Sequence, residues 1–492
     1  DGLQYLYNLE KYGMRFGLKR IKTLLKSLGN PQDKLSVIHI AGTNGKGSTS
    51  AMIASVLAKA GYKVGLYTSP HLARFNERIR ISGKEITDKK IVELVARIRQ
   101  RNGETERRRK REMTKQNPRF PDSPIPRFPI APTFFEFTTA MAFLYFAEEK
   151  VDFAVIEVGL GGRLDATNVG RPIVSIITNI SKDHEAMLGS RMEDITFEKA
   201  GIIKKSGILI SAETKTAALK VLTKECKKKK AIFYRLNRDF FVENPPVSPF
   251  PKGGAKQPPP LIPPSPLCQR GVRGDLKKGG KGGFAFKGRR WLYRNLTLNL
   301  LGRHQYFNVA CVLATLEILQ GKGFCIPESA VRNGLKEVSW PGRLEIVSEK
   351  PIIILDCAHN PAGAEVLKDV LENEFDYKKL FLVLGIMADK DMKGILSRLA
   401  PLAHTVILTR PKTERAASLD ALYKEIMELR ITTPLPPLIR GNNRKLKIML
   451  IEDIADACGT AISMSNSNDM ICITGSVFTV GEARNFLLKG ER

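Results

Sequence analysis

A short apolar strand, Val37-Ile38-His39-Ile40-Ala41, runs directly into Gly42-Thr43-Asn44-Gly45-Lys46-Gly47-Ser48, and this junction limits what the chain can fold into. The alanine-rich stretch Ala51–Ala60 that follows predicts a helix, closed by Gly61. Glycines let the backbone turn tightly enough to aim several N–H groups at one anion. The helix adds its positive end and the lysine a full charge. The result is a phosphate cradle, and a nucleotide is its usual guest. The spacing departs from the common phosphate-loop pattern: Ile40 stands where the first glycine belongs, and Gly47 separates Lys46 from Ser48. It also lacks the G-x-G-x-x-G spacing and companion acid of a dinucleotide-binding turn, which argues against NAD.

Charge suggests a different partner. The formal net charge is +29, which invites a nucleic-acid reading. However, 19 of those charges fall in residues 97–130, 243–290 and 431–447, which also hold most of the proline. These stretches offer no aromatic stacking platform, so no specific nucleic-acid partner is expected. Segments 100–132, 243–290 and 431–447 read as inserts without a core, expected to be extended and disordered. Pro259-Pro260-Leu261-Ile262 recurs as Pro436-Pro437-Leu438-Ile439, as related inserts would. No apolar run approaches a membrane span, and the opening residues lack a signal-peptide layout. The first residue is Asp1, so some residues are expected upstream. Cys226, Cys268, Cys311, Cys325, Cys357, Cys458 and Cys472 are dispersed and odd in number, as suits reduced thiols in the cytoplasm.

Elsewhere, continuous apolar strands alternate with helices, which indicates an α/β chain with mainly parallel sheets covered on both faces. Two helical pieces open the chain, separated by Phe16-Gly17-Leu18-Lys19-Arg20. Strands are expected at 63–67, 153–158, 173–178 and 207–211, with helices at 88–99 and to about 147. Trp340-Pro341-Gly342-Arg343 reads as a hinge. Beyond it, runs at 351–355, 380–384, 405–409, 448–451 and 470–474 predict a second, smaller α/β unit. The expected division is residues 1–340 and 341–492.

Ser69, Glu157, Asp183-His184 and Asp356 each sit at or just past the end of a predicted strand, where ligands of open α/β sheets collect. Glu157 lies within Ala154-Val155-Ile156-Glu157-Val158, and a buried carboxylate needs a partner. That partner is a metal ion or an arginine such as Arg163. His184 reads equally as a core histidine or a ligand. His359 reads equally as part of a capping turn or as a group that orients nucleotide or glutamate.

Taken together, these motifs resemble the folylpolyglutamate synthase/dihydrofolate synthase family, a branch of the Mur-ligase superfamily. The resemblance rests on Gly42–Ser48 and on Glu157-Val158-Gly159-Leu160-Gly161-Gly162-Arg163-Leu164-Asp165-Ala166-Thr167-Asn168. It extends through Ser69-Pro70-His71-Leu72, Asp183-His184, Glu198-Lys199-Ala200-Gly201, Gln305–Asn308, Pro341-Gly342-Arg343 and Asp356-Cys357-Ala358-His359-Asn360-Pro361. It covers nearly the whole chain outside the three odd segments. One departure is Gly475-Ser476-Val477-Phe478, where the family more often carries Leu-Tyr after the serine.

The resemblance implies an N-terminal phosphate-loop ATPase domain with a mainly parallel sheet and a smaller C-terminal Rossmann-like domain. It implies ATP-dependent ligation of L-glutamate to dihydropteroate or a reduced folate, by a monomer. ATP and Mg²⁺ are the implied cofactors, with a monovalent cation as an optional addition. ATP would meet Asn44, Gly45, Lys46, Gly47, Ser48, Asn308, Arg343 and Asp356. The metal would meet Ser69, Glu157, His184 and a carbamylated Lys199. Lys46, His184 and Lys199 form the implied catalytic set. The pterin-bearing substrate would lie near Gly17, Leu18, Lys19, Arg20, Thr133, Phe134, Phe135, Glu136, Leu164, Asp165 and Ala166. The alternatives are a Mur-type ligase acting on a cell-wall or similar acid, and a nucleic-acid-binding ATPase.

Overall fold

The computed structural model describes residues 2–10, 13, 15–116, 132–243, 283–429 and 446–488. Its first sheet holds β1 (Val37–Ala41), β2 (Val64–Tyr67), β3 (Ile79–Ile81), β4 (Lys84–Glu85), β5 (Phe153–Glu157), β6 (Val174–Ile177), β7 (Ile208–Ser211) and β8 (Ile232–Arg235). Their order is β4-β3-β2-β5-β1-β6-β7-β8. Only the β2/β3 and β3/β4 pairs are antiparallel. The phosphate-loop strand is therefore central, paired with β5 so that Ile40 lies opposite Glu157.

Burial on both faces explains why this strand is apolar apart from His39. Ile38 and Ile40 enter a core shared with helices Lys46–Lys59, His304–Gly321 and Glu328–Glu337. Val37 and its neighbours Ala154 and Ile156 enter the opposite core, beneath helices Gly2–Asn8, Lys19–Ser27 and Phe134–Glu148. Each fully buried branched side chain stabilises the fold by about 1.5–3 kcal/mol. Gly334 lets helix Glu328–Glu337 lie against Val56, where a Cβ would come within 2.6 Å of the Val56 Cα.

A small antiparallel sheet follows: β9 (Phe241–Glu243), β10 (Phe284–Lys287) and β11 (Leu292–Leu296). The last sheet comprises β12 (Glu345–Glu349), β13 (Ile352–Leu355), β14 (Leu380–Leu384), β15 (Thr405–Leu408), β16 (Lys447–Leu450) and β17 (Met470–Thr474), in the order β12-β13-β17-β14-β15-β16. It too is parallel except at β12/β13 and has an apolar core on each face.

Three expectations change. The helix placed at 88–99 runs from Asp88 to Gln116, well into the segment read as an extended insert. Lys and Glu populate that stretch, and both are good helix formers whatever their burial. Residues 284–287 form β10, because Phe284 and Phe286 alternate into the first core. Lys447 opens β16 instead of ending an insert. Residues 117–131, 244–282 and 430–445, with the Pro-Pro-Leu-Ile repeat, lie outside the described residues. Cys226, Cys311, Cys357, Cys458 and Cys472 are buried free thiols, and Cys325 is exposed.

Candidate active site

The carboxyl ends of the two large sheets face one another across a cleft of about 460 Å³. After β1, Gly45 takes a left-handed φ of +82°, and a side chain there would fall onto the Asn308 carboxamide. Gly47 leaves room for the Trp340 indole, whose Nε1 would lie 2.8 Å from an added Cβ. The extra glycine thus lets Trp340 pack against the phosphate loop.

The loop is pinned from β6. The Asn44 N–H donates to Oδ1 of Asn179 at 3.0 Å, and the Thr178 hydroxyl donates to the Asn44 carbonyl at 2.6 Å. The Ser181 N–H donates to Oγ1 of Thr43 at 2.9 Å. Lys46 curls back, its Nζ donating to the carbonyls of Gly42 (3.2 Å) and Thr43 (3.0 Å). Lys199 donates to the same Gly42 carbonyl at 3.0 Å. Burial and then the charge of Lys46 bring the Lys199 pKa down to about 7, so a large share of it is neutral amine near neutrality.

Glu157 is buried at the end of β5 and accepts from the Ser69 N–H at 3.2 Å. Burial pushes its pKa up, against the opposing pull of Lys46, the Ser69 hydrogen bond and Arg343. Arg163, the partner the sequence offered, pairs with Glu198 instead, its Nη2 lying 2.8 Å from Oε1. His184 has a left-handed φ of +53°, and burial lowers its pKa to about 4, leaving the ring neutral. Asp356 accepts from the Leu344 and Ala358 N–H groups at 3.0 and 2.9 Å.

Every residue expected to meet ATP or metal lines this one cleft: Asn44–Ser48, Ser69, Glu157, His184, Lys199, Asn308, Arg343 and Asp356, with His359. Phe307, also on the wall and 48% exposed, offers the flat apolar surface a nucleobase uses. The donors suit Mg²⁺, a hard cation that favours oxygen: Glu157 is an enclosed carboxylate short of partners, with Ser69 adjacent. Among the described residues, no three Cys, His, Asp or Glu side chains are arranged to hold a metal alone. A bound ion would therefore complete its shell with water and phosphate oxygens, as Mg²⁺ commonly does.

The residues expected to meet the pterin lie elsewhere: none of Gly17–Arg20, Thr133–Glu136 or Leu164–Ala166 lines the cleft. Their polar groups serve one another. Nε of Arg20 donates to both Glu136 carboxylate oxygens at 3.0 Å, and Glu136 forms a capping box with Thr133 at the start of helix Phe134–Glu148. Asp165 accepts from the Leu160 N–H and from the Thr167 N–H and hydroxyl, and Thr167 accepts from buried His39. Phe134 packs beneath the Arg78 guanidinium, Gly17 takes φ +127°, and Ala166 is buried. Phe135 and Asp165 touch the cleft wall, the Phe135 ring lying over Gly159 and Asp165 accepting from the Leu160 N–H.

Sequence reading overlooked two residues. Asn360 exchanges carboxamide hydrogen bonds with Asn44 at 3.1 and 3.3 Å and donates to Asp183 at 2.9 Å. Lys390 donates to Asp183 at 2.7 Å. The available signal for Lys390 was its place in the loop after β14, at a strand end like the residues that were named.

Two facing α/β sheets with a glycine-lysine loop between them define a ligase of the Mur type. Residues 130–244 match the Mur ligase middle domain, and residues 342–477 match the Mur ligase glutamate ligase domain. The chain is 33% identical over 489 residues to the dihydrofolate synthase/folylpolyglutamate synthase of Bacillus subtilis, covering 99% of this chain and 98% of that protein. Among solved structures it resembles the folylpolyglutamate synthase of Thermotoga maritima, with TM-score 0.72, 34% identity, and 99% and 96% of the two chains covered. It also resembles the Escherichia coli FolC complex with DHPP and ADP, with TM-score 0.79, 26% identity, and 100% and 98% covered. The chain belongs to the dihydrofolate synthase/folylpolyglutamate synthase family.

Proposed function

We propose that this chain joins L-glutamate to the carboxylate of a pteroate or folate at the expense of ATP, releasing ADP and phosphate. The observation that carries this reading is the cleft between two strand-end faces, where a lysine-bearing anion cradle meets an enclosed carboxylate. A carboxylate is a poor acyl donor because its leaving group would be oxide. Attack of its oxygen on the γ-phosphorus of ATP expels ADP and gives an acyl phosphate. The glutamate amine then attacks the acyl carbon, phosphate leaves, and the amine sheds a proton. No protein nucleophile is needed. Lys46 turns from its own loop carbonyls to the phosphoryl oxygens and offsets their charge. The backbone N–H groups of Asn44–Ser48 orient the phosphates. Arg343 and Asp356 approach the nucleotide from the six-stranded side, and Asn308 from helix His304–Gly321. Ser69, Glu157 and His184 would hold Mg²⁺, which supplies Lewis-acid neutralisation of phosphate charge.

In this reading the chain divides near residue 340 and acts as a monomer. No described helix is long and apolar enough to cross a membrane. Phosphate release is the test, with ATP, Mg²⁺ and L-glutamate plus either dihydropteroate or tetrahydrofolate. Release that requires glutamate and at least one of these acceptors is expected. No glutamate-dependent release with either acceptor overturns the reading. Comparing the two acceptors identifies the preferred one.

A further inference from the structure

Asp183 is the meeting point of the two halves. Its carboxylate, 9% exposed, takes the Lys390 ammonium on Oδ1 at 2.7 Å and the Asn360 carboxamide on Oδ2 at 2.9 Å. Nε2 of His359 lies 3.7 Å from Oδ2. All three partners come from loops that follow β13 and β14. The Lys390 side chain is itself only 8% exposed, and its Nζ also lies 3.3 Å from Nε2 of His184.

That second contact has a chemical corollary. An ammonium has donors and no lone pair, so Nε2 of His184 is the acceptor and the ring proton sits on Nδ1. A neutral imidazole in that tautomer has one lone pair on Nε2, and a metal ion would need the same one. The left-handed backbone of His184 holds the ring toward Lys390 at some conformational cost, as is common where orientation serves a function.

We propose that Lys390 is an internal counter-cation that occupies the Nε2 lone pair of His184 until a divalent cation takes it, so that metal loading and the tie between the two halves are coupled. This rests on the reading of His184 as a metal ligand. Coupling is reciprocal: whatever metal affinity Lys390 suppresses, bound metal returns by weakening the hold of Lys390. Asp183 stays bound to the Asn360 carboxamide in either state. The halves then loosen around Lys390 without parting, which leaves the glutamate ligase half adjustable while the nucleotide site is loaded.

The experiment measures Mn²⁺ affinity of the nucleotide-free full chain by electron paramagnetic resonance. It uses the unmodified protein, Lys390→Met, His184→Ala and the double variant. Lys390→Met is expected to tighten Mn²⁺ by about 5-fold or more, within the usual range of coupling between sites. In the His184→Ala background the same substitution is expected to change little. Equal tightening in both backgrounds would reveal plain charge repulsion and overturn the competition. No tightening in either overturns it as well. If His184→Ala leaves Mn²⁺ affinity unchanged, the metal-ligand reading of His184 falls, and the proposal with it. The unmodified chain gives an independent answer if Lys390→Met does not fold. Mg²⁺ alone should speed amide exchange over residues 386–391, and unchanged or slower exchange there overturns the proposal.

Discussion

The two large sheets deliver polar groups to the cleft in different ways. On the eight-stranded side the polar groups are tied to each other: Asn44 to Asn179, Thr43 to Ser181, Asp165 to Thr167, and Thr167 to His39 of β1. On the six-stranded side, Asp356 organises its own turn, His359 bonds the Cys357 carbonyl and Asn360 caps helix Pro361–Asn373, yet Asn360, His359 and Lys390 also reach polar partners across the gap. One face is a finished cradle whose shape its own sheet sets. The other is set partly by its own turn and partly by meeting the first. Preorganised electrostatics belong to the first face, and adjustment belongs to the second.

Substitutions on either side should therefore fail differently. Lys46→Ala, on the finished face, is expected to give the largest effect, a loss of about 10³-fold or more in glutamate-dependent phosphate release. Its thermal unfolding should stay close to the parent's, because Lys46 bonds only to its own loop. Near-normal turnover would break the assignment of this face. Asp183→Asn, on the same side but holding Lys390 of the other, should do the reverse and lower stability. It strands the Lys390 ammonium in an enclosed setting, at a cost of about 3 kcal/mol read by calorimetry. If only turnover fell, the apposition of the halves would rest on something else.

Lys199 gives an intermediate effect that depends on pH. Its folded pKa of about 7 lies below the ordinary 10.5, so between those values the folded chain binds fewer protons than the unfolded one. Its contribution to stability thus rises with pH across that window and is smallest below it. The neutral amine is also the form that adds CO₂, giving a carbamate and a proton. A carbamate signal from ¹³C-bicarbonate should strengthen between about pH 6 and about pH 8, and its absence throughout removes Lys199 from the metal site. The smallest change is expected for Arg163→Ala. The Arg163–Glu198 pair is half exposed, and its loss should cost less than about 1 kcal/mol by denaturant titration.

The same contrast governs what the sequence revealed. Strand β1 and its loop were legible because the apolar run, the glycines and the lysine are contiguous, and each follows from local physics. Glu157 was legible because a carboxylate inside an apolar strand has few explanations. Lys390 was not: Ala388-Asp389-Lys390-Asp391 reads as an ordinary polar loop. Its significance comes from Asp183, 207 positions away and in a different sheet. The residues expected at the pterin illustrate a related ambiguity. Arg20, Thr133, Glu136 and Asp165 carry polar groups that suit a ligand, but the first three bond to one another and Asp165 to Thr167, and sequence does not reveal which partner is nearer. The extent of helix Asp88–Gln116 was hidden because charge density masked good helix formers.

The packing of Trp340 against Gly47 gives the molecule a built-in optical probe. The chain has two tryptophans, and the other, Trp291, stacks edge-on with Tyr293 in the small antiparallel sheet. Replacing Trp291 with phenylalanine leaves one indole, seated against the phosphate loop and beneath the Arg80 guanidinium. Its emission wavelength and quenching would follow filling of the cradle and hinge displacement in real time, with no dye attached.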